Sequence, residues 1–360
     1  MTTDRDEAAV LDRIAAFRQR QPRLRDEVVT LAHGAGGKAS AALLDAVFLP
    51  ALGNETLAAQ GDAATLVLPS GETVAFTTDA FVVTPRRFPG GSLGHLAVHG
   101  TVNDLAMLGA RPLALSAAWV IEEGFPVAEL RDLVADMAEA AAAAGVQVVA
   151  GDTKVVGRGA VDGVYVTTSG MGLVPAGREL SPAAVQPGDV VLVSGTLGDH
   201  GMAVMLARGD LALTADIRSD TAPLHEPVEA LLAAAPGTRW LRDATRGGLG
   251  TVCNELVRAN GLTVVLHETR LPVRPPVMGA CDLLGIDPLY VANEGKFVAV
   301  VPADQADDAL AALHTHALGR DAAVVGEIRA DPPGLVVLVT PIGGTRIVDL
   351  LVGDPLPRIC

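Results

Sequence analysis

Aromatic residues and positive charge are both scarce in this sequence. Phe, Trp and Tyr make up 3% of its 360 residues, and 27 basic residues against 42 acidic ones leave a net charge of −15. Nucleic-acid binding relies on cationic side chains against phosphates and aromatic rings against bases, so nucleic acid is not an expected partner. An anionic ligand would have to be held locally, by backbone N–H groups or by a divalent metal.

Long apolar runs and paired cysteines are also lacking. No uninterrupted apolar stretch reaches the roughly 18 residues of a membrane span, and the amino end is acidic where a signal peptide would be basic. Three cysteines without a C-x-x-C spacing favour neither a disulfide framework nor a zinc site. We therefore expect a protein of the reducing cytoplasm that does not enter a membrane.

The familiar nucleotide-binding loops are absent too. Lys38 and Lys296 each follow a glycine, but neither has the upstream glycine and the following Ser or Thr of a P-loop. No G-x-G-x-x-G occurs. These absences disfavour a P-loop kinase and a Rossmann dehydrogenase.

Apolar content is high enough, at 49%, for two hydrophobic cores, and 360 residues at about 100 to 200 per domain suggest two domains. The clearest break is a stretch rich in Ser, Pro and Gly over 181–188. Because a hairpin and paired strands precede the helices of the first domain, we expect an α+β fold rather than regular βαβ units. The predicted parts are a charged extension over 1–27, a first domain over 28–182, a second domain over 183–352 and a mobile, exposed tail over 353–360.

Periodicity and capping residues place the individual elements. One helix is predicted from Ser92 to Leu108, and a second begins with Pro126 and ends at Gly145. The predicted strands cover 28–31, 65–68, 73–77, 146–150, 164–168, 190–194 and 297–301.

A loop between the first predicted strand and a helical segment contains Gly34, Gly36 and Gly37. Glycines at such a point let backbone N–H groups turn toward a phosphate, with a helix N-terminus behind them. A tight turn without any ligand would use the same residues, so the loop alone does not decide between the two interpretations.

Short acidic motifs are the second group with possible chemistry. Asp62, Asp79, Asp104 and Asp152 each lie at a predicted turn or strand end, where several carboxylates could converge on Mg²⁺ bound to a polyphosphate. Each of them alone could equally stabilise a turn. Lys154, near Asp152, could form a surface ion pair or stabilise charge during group transfer.

The second half adds a further set of candidates. Asp243 could cap the helix that follows it, while Arg246 could face a ligand. Glu294 precedes a predicted strand, where it could act as a base or form a turn. Cys253 and Cys281 lie on apolar helical stripes and are predicted to be small core residues.

Cys360 is different, because it ends a segment whose two prolines oppose both helix and central strand. An extended tail of eight residues, at about 3.3 Å each, could carry a thiol over roughly 26 Å. The alternative is an incidental thiol on a frayed end.

Taken in order along the chain, several motifs together resemble the HypE family of hydrogenase maturation proteins, within the aminoimidazole ribonucleotide synthetase-like (PurM-like) superfamily. They are HGAGGK (33–38), GDAA (61–64), TTDAF (77–81), VNDLAMLGARP (102–112), AGDTKVV (150–156), SGTLGDHG (194–201), DATRGGLGT (243–251), NEGK (293–296) and a terminal PRIC (357–360). PRIC is the feature specific to this family. The resemblance implies a PurM-like fold, with a mixed sheet or half-barrel and helices in an ATP-binding first domain and an α/β sandwich-like second domain.

The activity that this resemblance implies is an ATP-dependent dehydration. A carbamoyl group loaded onto the terminal cysteine by a HypF-type carbamoyltransferase becomes a thiocyanate. The nitrile then passes to iron on a HypC–HypD complex and becomes a cyanide ligand of nickel–iron hydrogenase. ATP and Mg²⁺ are the implied cofactors, and a homodimer is implied because first domains of this superfamily pair across a two-fold axis.

Residue by residue, the resemblance makes Cys360 the substrate carrier, Glu294 the general base and Lys154 the group that stabilises oxygen during phosphoryl transfer. The positions that it implies for nucleotide and metal binding are Gly34, Gly36, Gly37 and Asn103 for ATP, and Asp62, Asp79 and Asp152 for Mg²⁺ with ATP. Two other functions remain open at this point. One is a PurM-like ATP-dependent synthetase or kinase acting on a free small molecule, and the other is a non-catalytic thiol carrier or scaffold.

Overall fold

Each half of the chain contributes one large β-sheet to the computed structural model, which describes residues 24–34, 36–209, 215–351 and 359–360. The strands of the first half are β1 (Ala64–Val67), β2 (Thr73–Phe81), β3 (Arg87–Phe88), β4 (Gly91–Ser92), β5 (Arg111–Glu122), β6 (Gln147–Val156) and β7 (Val164–Val174). Those of the second half are β8 (Val190–Val193), β9 (Trp240–Asp243), β10 (Thr263–His267), β11 (Phe297–Val301), β12 (Ala323–Arg329), β13 (Val336–Val339) and β14 (Thr345–Ile347).

The helices pack around and between these sheets. They are α1 (Lys38–Leu43), α2 (Leu49–Leu52), α3 (Glu55–Ala58), α4 (Leu93–Met107), α5 (Val127–Ala143), α6 (Asp199–Ala207), α7 (His225–Ala234), α8 (Gly248–Asn260), α9 (Pro275–Leu284) and α10 (Ala306–His314). A π-helical segment, Leu44–Phe48, continues α1. Within the described residues, no helix is both long and apolar enough to cross a membrane.

Both sheets are mixed. The first has the order β1-β2-β7-β5-β6 and is antiparallel except for the β5–β6 pair. The second has the order β14-β13-β10-β12-β8-β11-β9, with β10 and β13 parallel. Mixed sheets with helices packed on them agree with the α+β class expected from the sequence. The predicted domain boundary near residue 182 lies in the connection between β7 and β8, at the 3-10 helix Pro182–Ala184.

Helix α4 lies between the two halves and is buried almost all round. Of its 15 residues, all but His95 and Asp104 are buried, as expected for a helix that is apolar on every side. Gly100 permits its close approach to β2, because a Cβ there would lie 2.7 Å from Cζ of Phe81. The tight packing fixes Asp104 at the boundary between the two halves of the molecule.

Most of the predicted elements are confirmed. The hairpin formed by β1 and β2 is present, and α4 and α5 follow Ser92 and Pro126 as expected. Cys253 and Cys281 are buried, and burial raises the pKa of their thiols to about 12 and about 11. They are core residues, as predicted.

The strand predicted over 28–31 is wrong. Leu31–Gly34 is a 3-10 helix, and Val28 and Val29 are 72% and 73% exposed. The backbone N–H of Thr30 donates to His33 Nδ1 at 3.0 Å and closes a turn at this point. A run of apolar residues predicts a strand only where a neighbouring strand supplies hydrogen bonds, and the sequence pattern does not contain that information.

Candidate active site

Three aspartates from distant parts of the chain converge between the two halves. Asp62 precedes β1, Asp104 lies on α4 and Asp243 ends β9, with one carboxylate oxygen of each within 4.8 Å of the others. The hydroxyl oxygen of Thr77 lies 2.8 Å from Asp104 Oδ2 and 2.9 Å from the carbonyl oxygen of Asp62. We call these three residues the aspartate cluster. Carboxylate oxygens gathered in this way are the ligands that Mg²⁺ prefers in proteins.

Burial makes the negative charge of the aspartate cluster unfavourable. It raises the pKa of Asp62 to about 6, even though Arg242 Nε lies 2.9 Å from Asp62 Oδ1. Burial and neighbouring carboxylates also raise the pKa of Asp104 and of Asp243 well above the usual range. A divalent cation would supply the positive charge that Arg242 leaves unbalanced, so the donor set fits Mg²⁺.

Arg246 connects Asp79 with the glycine loop. Burial raises the pKa of Asp79, and the guanidinium of Arg246 opposes that rise. The same guanidinium donates from Nη1 to the carbonyl oxygen of Gly34 at 2.6 Å. On the other side of the loop, a Cβ at Gly37 would lie 2.4 Å from the carbonyl oxygen of Leu351. The loop is therefore held in place by the second half of the chain.

The glycine loop also borders a cavity of about 810 Å³, a volume within the usual range for small-molecule sites. Gly36 adopts a φ of +77°, a conformation that favours glycine. Polar and loop residues around this cavity include Gly36, Gly37, Asp62, Arg242, Glu255 and Arg258. Glycines of the loop, two arginines and one member of the aspartate cluster thus surround a space large enough for a phosphorylated ligand.

Glu294 is a buried carboxyl group with unused hydrogen-bonding capacity. Its side chain is 3% exposed, and Oε1 has no hydrogen-bond partner among the described residues. Burial, and then the charges of Asp243, Asp79 and Asp220, raise the pKa of Glu294 well above its usual range. A carboxylate in such surroundings is a stronger base than one in water, which fits the role implied for it.

The position of Glu294 is set by its backbone. Its N–H donates to Asp220 Oδ1 at 3.0 Å, and its carbonyl oxygen accepts from Asn103 Nδ2 at 3.1 Å. A Cβ at Gly295 would lie 1.8 Å from the carbonyl oxygen of Asp220, so only glycine fits there. The NEGK motif is therefore a tightly packed turn that presents one buried acid.

Asn103, which the resemblance places near the nucleotide, makes three hydrogen bonds to backbone groups around the site. Its Nδ2 donates to Ala222 and Glu294 carbonyl oxygens, both at 3.1 Å, and its Oδ1 accepts from the N–H of Leu224 at 2.8 Å. These three bonds occupy the amide, so Asn103 joins α4 to the turns around the site. Its neighbour Asp104 is the residue of this pair that joins the aspartate cluster.

Asp152 and Lys154 do not join the aspartate cluster within one chain, contrary to the grouping of Asp152 with Asp62 and Asp79. They lie on the edge strand β6, 62% and 69% exposed, with Lys154 Nζ 3.0 Å from Asp152 Oδ2. Residues that pair across neighbouring strands form rows that run across the sheet. Asp79 is in the same row as the buried Thr168, whereas Asp152 is in the next row along the strands. Adjacent rows point to opposite faces, so Asp152 faces away from Asp79.

The end of the chain is directed inward rather than exposed. Residues 353–358 of the predicted tail lie outside the described residues, but Ile359 is 3% exposed and Cys360 is half-buried. The backbone oxygen of Cys360 accepts from the N–H of Val82 at 2.8 Å, and Ile359 packs in the apolar core. The prediction overlooked that Ile359 can bury an apolar side chain and so favour a docked end.

Sequence reasoning missed several residues of this site. Asp104 was named among the carboxylates that could converge on Mg²⁺, but it was not one of the positions implied for ATP or Mg²⁺. Asp243 was identified only as a possible helix cap, and His200 and Asp220 were not singled out. The motifs VNDLAMLGARP, DATRGGLGT and SGTLGDHG contain three of these residues and were the available signal. Their convergence depends on how the halves pack, which local patterns do not show.

Comparison with known proteins agrees with this geometry. Residues 60–174 match the N-terminal domain of the AIR synthase related protein family, and residues 186–338 match its C-terminal domain. The chain is 55% identical over 340 residues to carbamoyl dehydratase HypE of Rhodobacter capsulatus, which covers 94% of this chain and 99% of that relative.

Two solved structures are similar in both sequence and fold. A chain in a crystal structure of a HypE–HypF complex is 48% identical to this chain, with a TM-score of 0.82. The match covers 86% of this chain and 100% of that chain. HypE in complex with ATP has a TM-score of 0.77 and 42% identity, covering 92% and 100%. The two sheets and the acids between them thus define an AIR synthase related protein with a PurM-like fold. Within that class the chain belongs to the HypE family of carbamoyl dehydratases.

Proposed function

We propose that this chain uses ATP to dehydrate an S-carbamoyl group on its own Cys360 to a thiocyanate, which supplies a cyanide ligand to nickel–iron hydrogenase. The observation that carries the proposal is the inward position of Cys360, whose backbone oxygen accepts from Val82. Val82 is three residues after Asp79, a span of about 10 Å in extended chain. The backbone that holds the end of the chain therefore directly follows β2, the strand that carries Asp79.

The chemistry requires a carboxamide oxygen to become a leaving group. Attack of that oxygen on the γ-phosphorus of ATP forms an O–P bond, releases ADP and frees one proton from nitrogen. Cleavage of the C–O bond then releases phosphate as the second N–H proton leaves, and S–C≡N remains. Each turnover thus consumes one ATP and removes the oxygen of the carboxamide as phosphate oxygen.

The residues of the site fit the parts of this reaction. Mg²⁺, held by Asp62, Asp104 and Asp243, would neutralise negative charge on the phosphates. Gly36 and Gly37 of the glycine loop line the cavity that Asp62 also borders. Glu294 takes the N–H proton, because burial strengthens it as a base and its Oε1 is not occupied by another donor among the described residues.

A homodimer gives Asp152 and Lys154 a place in this proposal. Strand β6 is exposed over nearly its whole length, and Val149 and Val155 on it are 65% and 67% exposed. A long exposed apolar edge strand favours pairing with another chain. We place a second copy against this edge, so that Asp152 and Lys154 of one copy serve the ATP site of the other.

The partners follow from the same chemistry. The similar structure of a HypE–HypF complex supports a HypF-type carbamoyltransferase as the source of the carbamoyl group. A HypC–HypD complex would receive the cyanide. A thiol that carries such a group must stay reduced, so we place the protein in the cytoplasm.

Intact-protein mass tests the proposal in two steps. A HypF-type carbamoyltransferase first loads the protein in the presence of carbamoyl phosphate and ATP, and the nucleotide is then removed. We expect one carbamoyl adduct on Cys360, which loses one water only when MgATP is restored. Cys360→Ala should abolish both changes, whereas the matched control Cys281→Ala, at a buried thiol, should retain them.

Each other result favours one of the alternative functions. An adduct that never loses water would support a non-catalytic thiol carrier. The absence of any adduct on a folded protein would return the ATP-dependent synthetase or kinase for a free small molecule to first place.

A further inference from the structure

His200, in the first turn of α6, contacts the end of the chain directly. Its side chain is fully buried, and its Nε2 lies 2.7 Å from the carbonyl oxygen of Ile359. Its Nδ1 lies 2.8 Å from Ser219 Oγ, and its ring meets that of Phe88 edge to face at 5.4 Å. The imidazole is thus enclosed by the chain end on one side and the turn at Ser219 on the other.

The hydrogen bonds around His200 define its protonation. A carbonyl oxygen can only accept, so Nε2 carries the hydrogen and donates it to Ile359. Nδ1 then accepts from the Ser219 hydroxyl, whose oxygen in turn accepts from the N–H of Thr221 at 3.1 Å. Burial lowers the pKa of His200, which favours this neutral form.

At least three contacts hold the last two residues. The Ile359 side chain lies in the apolar core, its carbonyl oxygen accepts from His200, and the backbone oxygen of Cys360 accepts from Val82 at 2.8 Å. Of these contacts, the His200 bond is the one made by a polar side chain. Its loss would leave a buried carbonyl oxygen without that donor, which opposes docking.

The turn that orients His200 also supports Glu294. Ser219 binds the imidazole, and the next residue, Asp220, accepts from the N–H of Glu294 at 3.0 Å. Lys296 Nζ lies 3.2 Å from Asp220 Oδ2 and completes the link. The neighbouring residues Ser219 and Asp220 thus connect the docked end of the chain with Glu294.

We propose that His200 is the positioning residue of Cys360: its Nε2–H holds the Ile359 carbonyl oxygen and so sets the place of the thiol beside β2. The inference rests on the proposed function in so far as the thiol carries the carbamoyl group. His200 itself does not react; it selects the docked conformation of the chain end. A donor at the Nε2 position is therefore required, whereas the imidazole ring is not.

The test compares His200→Leu with His200→Gln, whose amide N–H can replace the Nε2 donor. The rate of alkylation of Cys360 by iodoacetamide is followed by peptide mass, with buried Cys253 and Cys281 as internal references. We expect His200→Leu to raise this rate about tenfold and His200→Gln to stay within about threefold of the unchanged protein. The matched control is His314→Leu, which removes another His Nε2 to carbonyl bond, to Ala322, far along the chain.

A second measurement keeps the inference falsifiable if His200→Leu does not fold. Ser219→Ala removes the hydroxyl that fixes the tautomer, and hydrogen exchange at the Val82 amide should then quicken together with alkylation. Equal alkylation rates in folded His200→Leu and in the unchanged protein, or equal rises in the Leu and Gln variants, would overturn the inference. A protein that behaves as expected here but never forms thiocyanate would contradict the proposed function instead.

Discussion

The aspartate cluster and the Asp152–Lys154 pair both contain aspartate, but it is buried in the cluster and exposed in the pair. Burial raises the pKa of Asp62 to about 6, whereas a hydrogen bond from Lys154 lowers the pKa of the exposed Asp152. In sequence the two aspartates look alike, since each follows a glycine at a turn or strand. The comparison shows that packing decides which acid becomes a site for a cation and which forms a surface ion pair.

The largest effect should come from removing one charge of the aspartate cluster. Asp104→Asn should lower the rate of MgATP-dependent dehydration by at least about 100-fold, because it removes a metal ligand at a nearly unchanged volume. Single-turnover mass measurements on the carbamoylated protein give this rate. Asp132→Asn, at an exposed position on α5, is the matched control and should react at the original rate. Equal rates in the two variants would contradict a metal site at the cluster.

Mixing two inactive variants tests whether the exposed pair serves a second copy. Lys154→Ala and Glu294→Gln each remove one group from every site, but a mixed dimer would contain one complete site. Random pairing makes about half of the dimers mixed, so the mixture should recover about a quarter of the original activity. Activity no greater than that of either variant alone, in a mixture shown by mass to contain mixed dimers, would place both groups in one chain or exclude Lys154.

The pH dependence of stability should distinguish the two environments. Because the pKa of Asp62 is raised in the folded protein, its contribution to the stability of the fold is present below pH 4 and is lost as the pH rises through about 6. Without divalent ions, the free energy of unfolding of Asp62→Asn should therefore rise by about 1.5 kcal/mol relative to that of the unchanged protein between pH 5 and pH 8. Denaturant unfolding with a chelator measures this difference, and Mg²⁺ should reduce it at pH 8 by stabilising only the unchanged protein.

The smallest effect should come from the exposed pair. The pKa of Asp152 is lowered, so its contribution is present above pH 4 and does not change between pH 5 and pH 8. Asp152→Asn should shift the unfolding temperature by less than about 2 °C, and added salt should remove the shift. A large, salt-independent loss in calorimetry would show that Asp152 stabilises the fold itself, and would contradict an ion pair that contributes little to folding.

The same contrast explains what the sequence could predict. Local signals suffice for α5, where apolar residues recur at helical spacing after Pro126, and for β11, a short apolar run after a glycine and a lysine. They also suffice to identify Asp62 as an acid at the end of an element, whereas Asp79 lies within β2, which extends beyond the predicted strand to Phe81. They do not suffice for Asp243. From the sequence, a role as a helix cap cannot be distinguished from a place in the aspartate cluster, because the cluster forms only when β9 and α4 pack together.

Other features of the site also lie beyond what local patterns show. The face of Asp152 depends on the register of β6 against β5, and the choice of Asp104 over Asn103 depends on which side of α4 meets β2. Both are properties of tertiary packing, which one sequence encodes only through many weak contacts. The docked position of Cys360 likewise depends on a pocket formed by residues of both halves.

The fate of oxygen during one turnover tests the central claim most directly. The carbamoylated protein is prepared in ordinary water and freed of nucleotide. It is then given MgATP in water enriched in the heavy oxygen isotope, and the isotopic mass of the released phosphate is measured by mass spectrometry. We predict that the phosphate contains no solvent oxygen, because the carboxamide oxygen attacks the γ-phosphorus. Phosphate containing one solvent oxygen for each thiocyanate formed would show that water attacks ATP instead, and would contradict the proposed activation of the carboxamide.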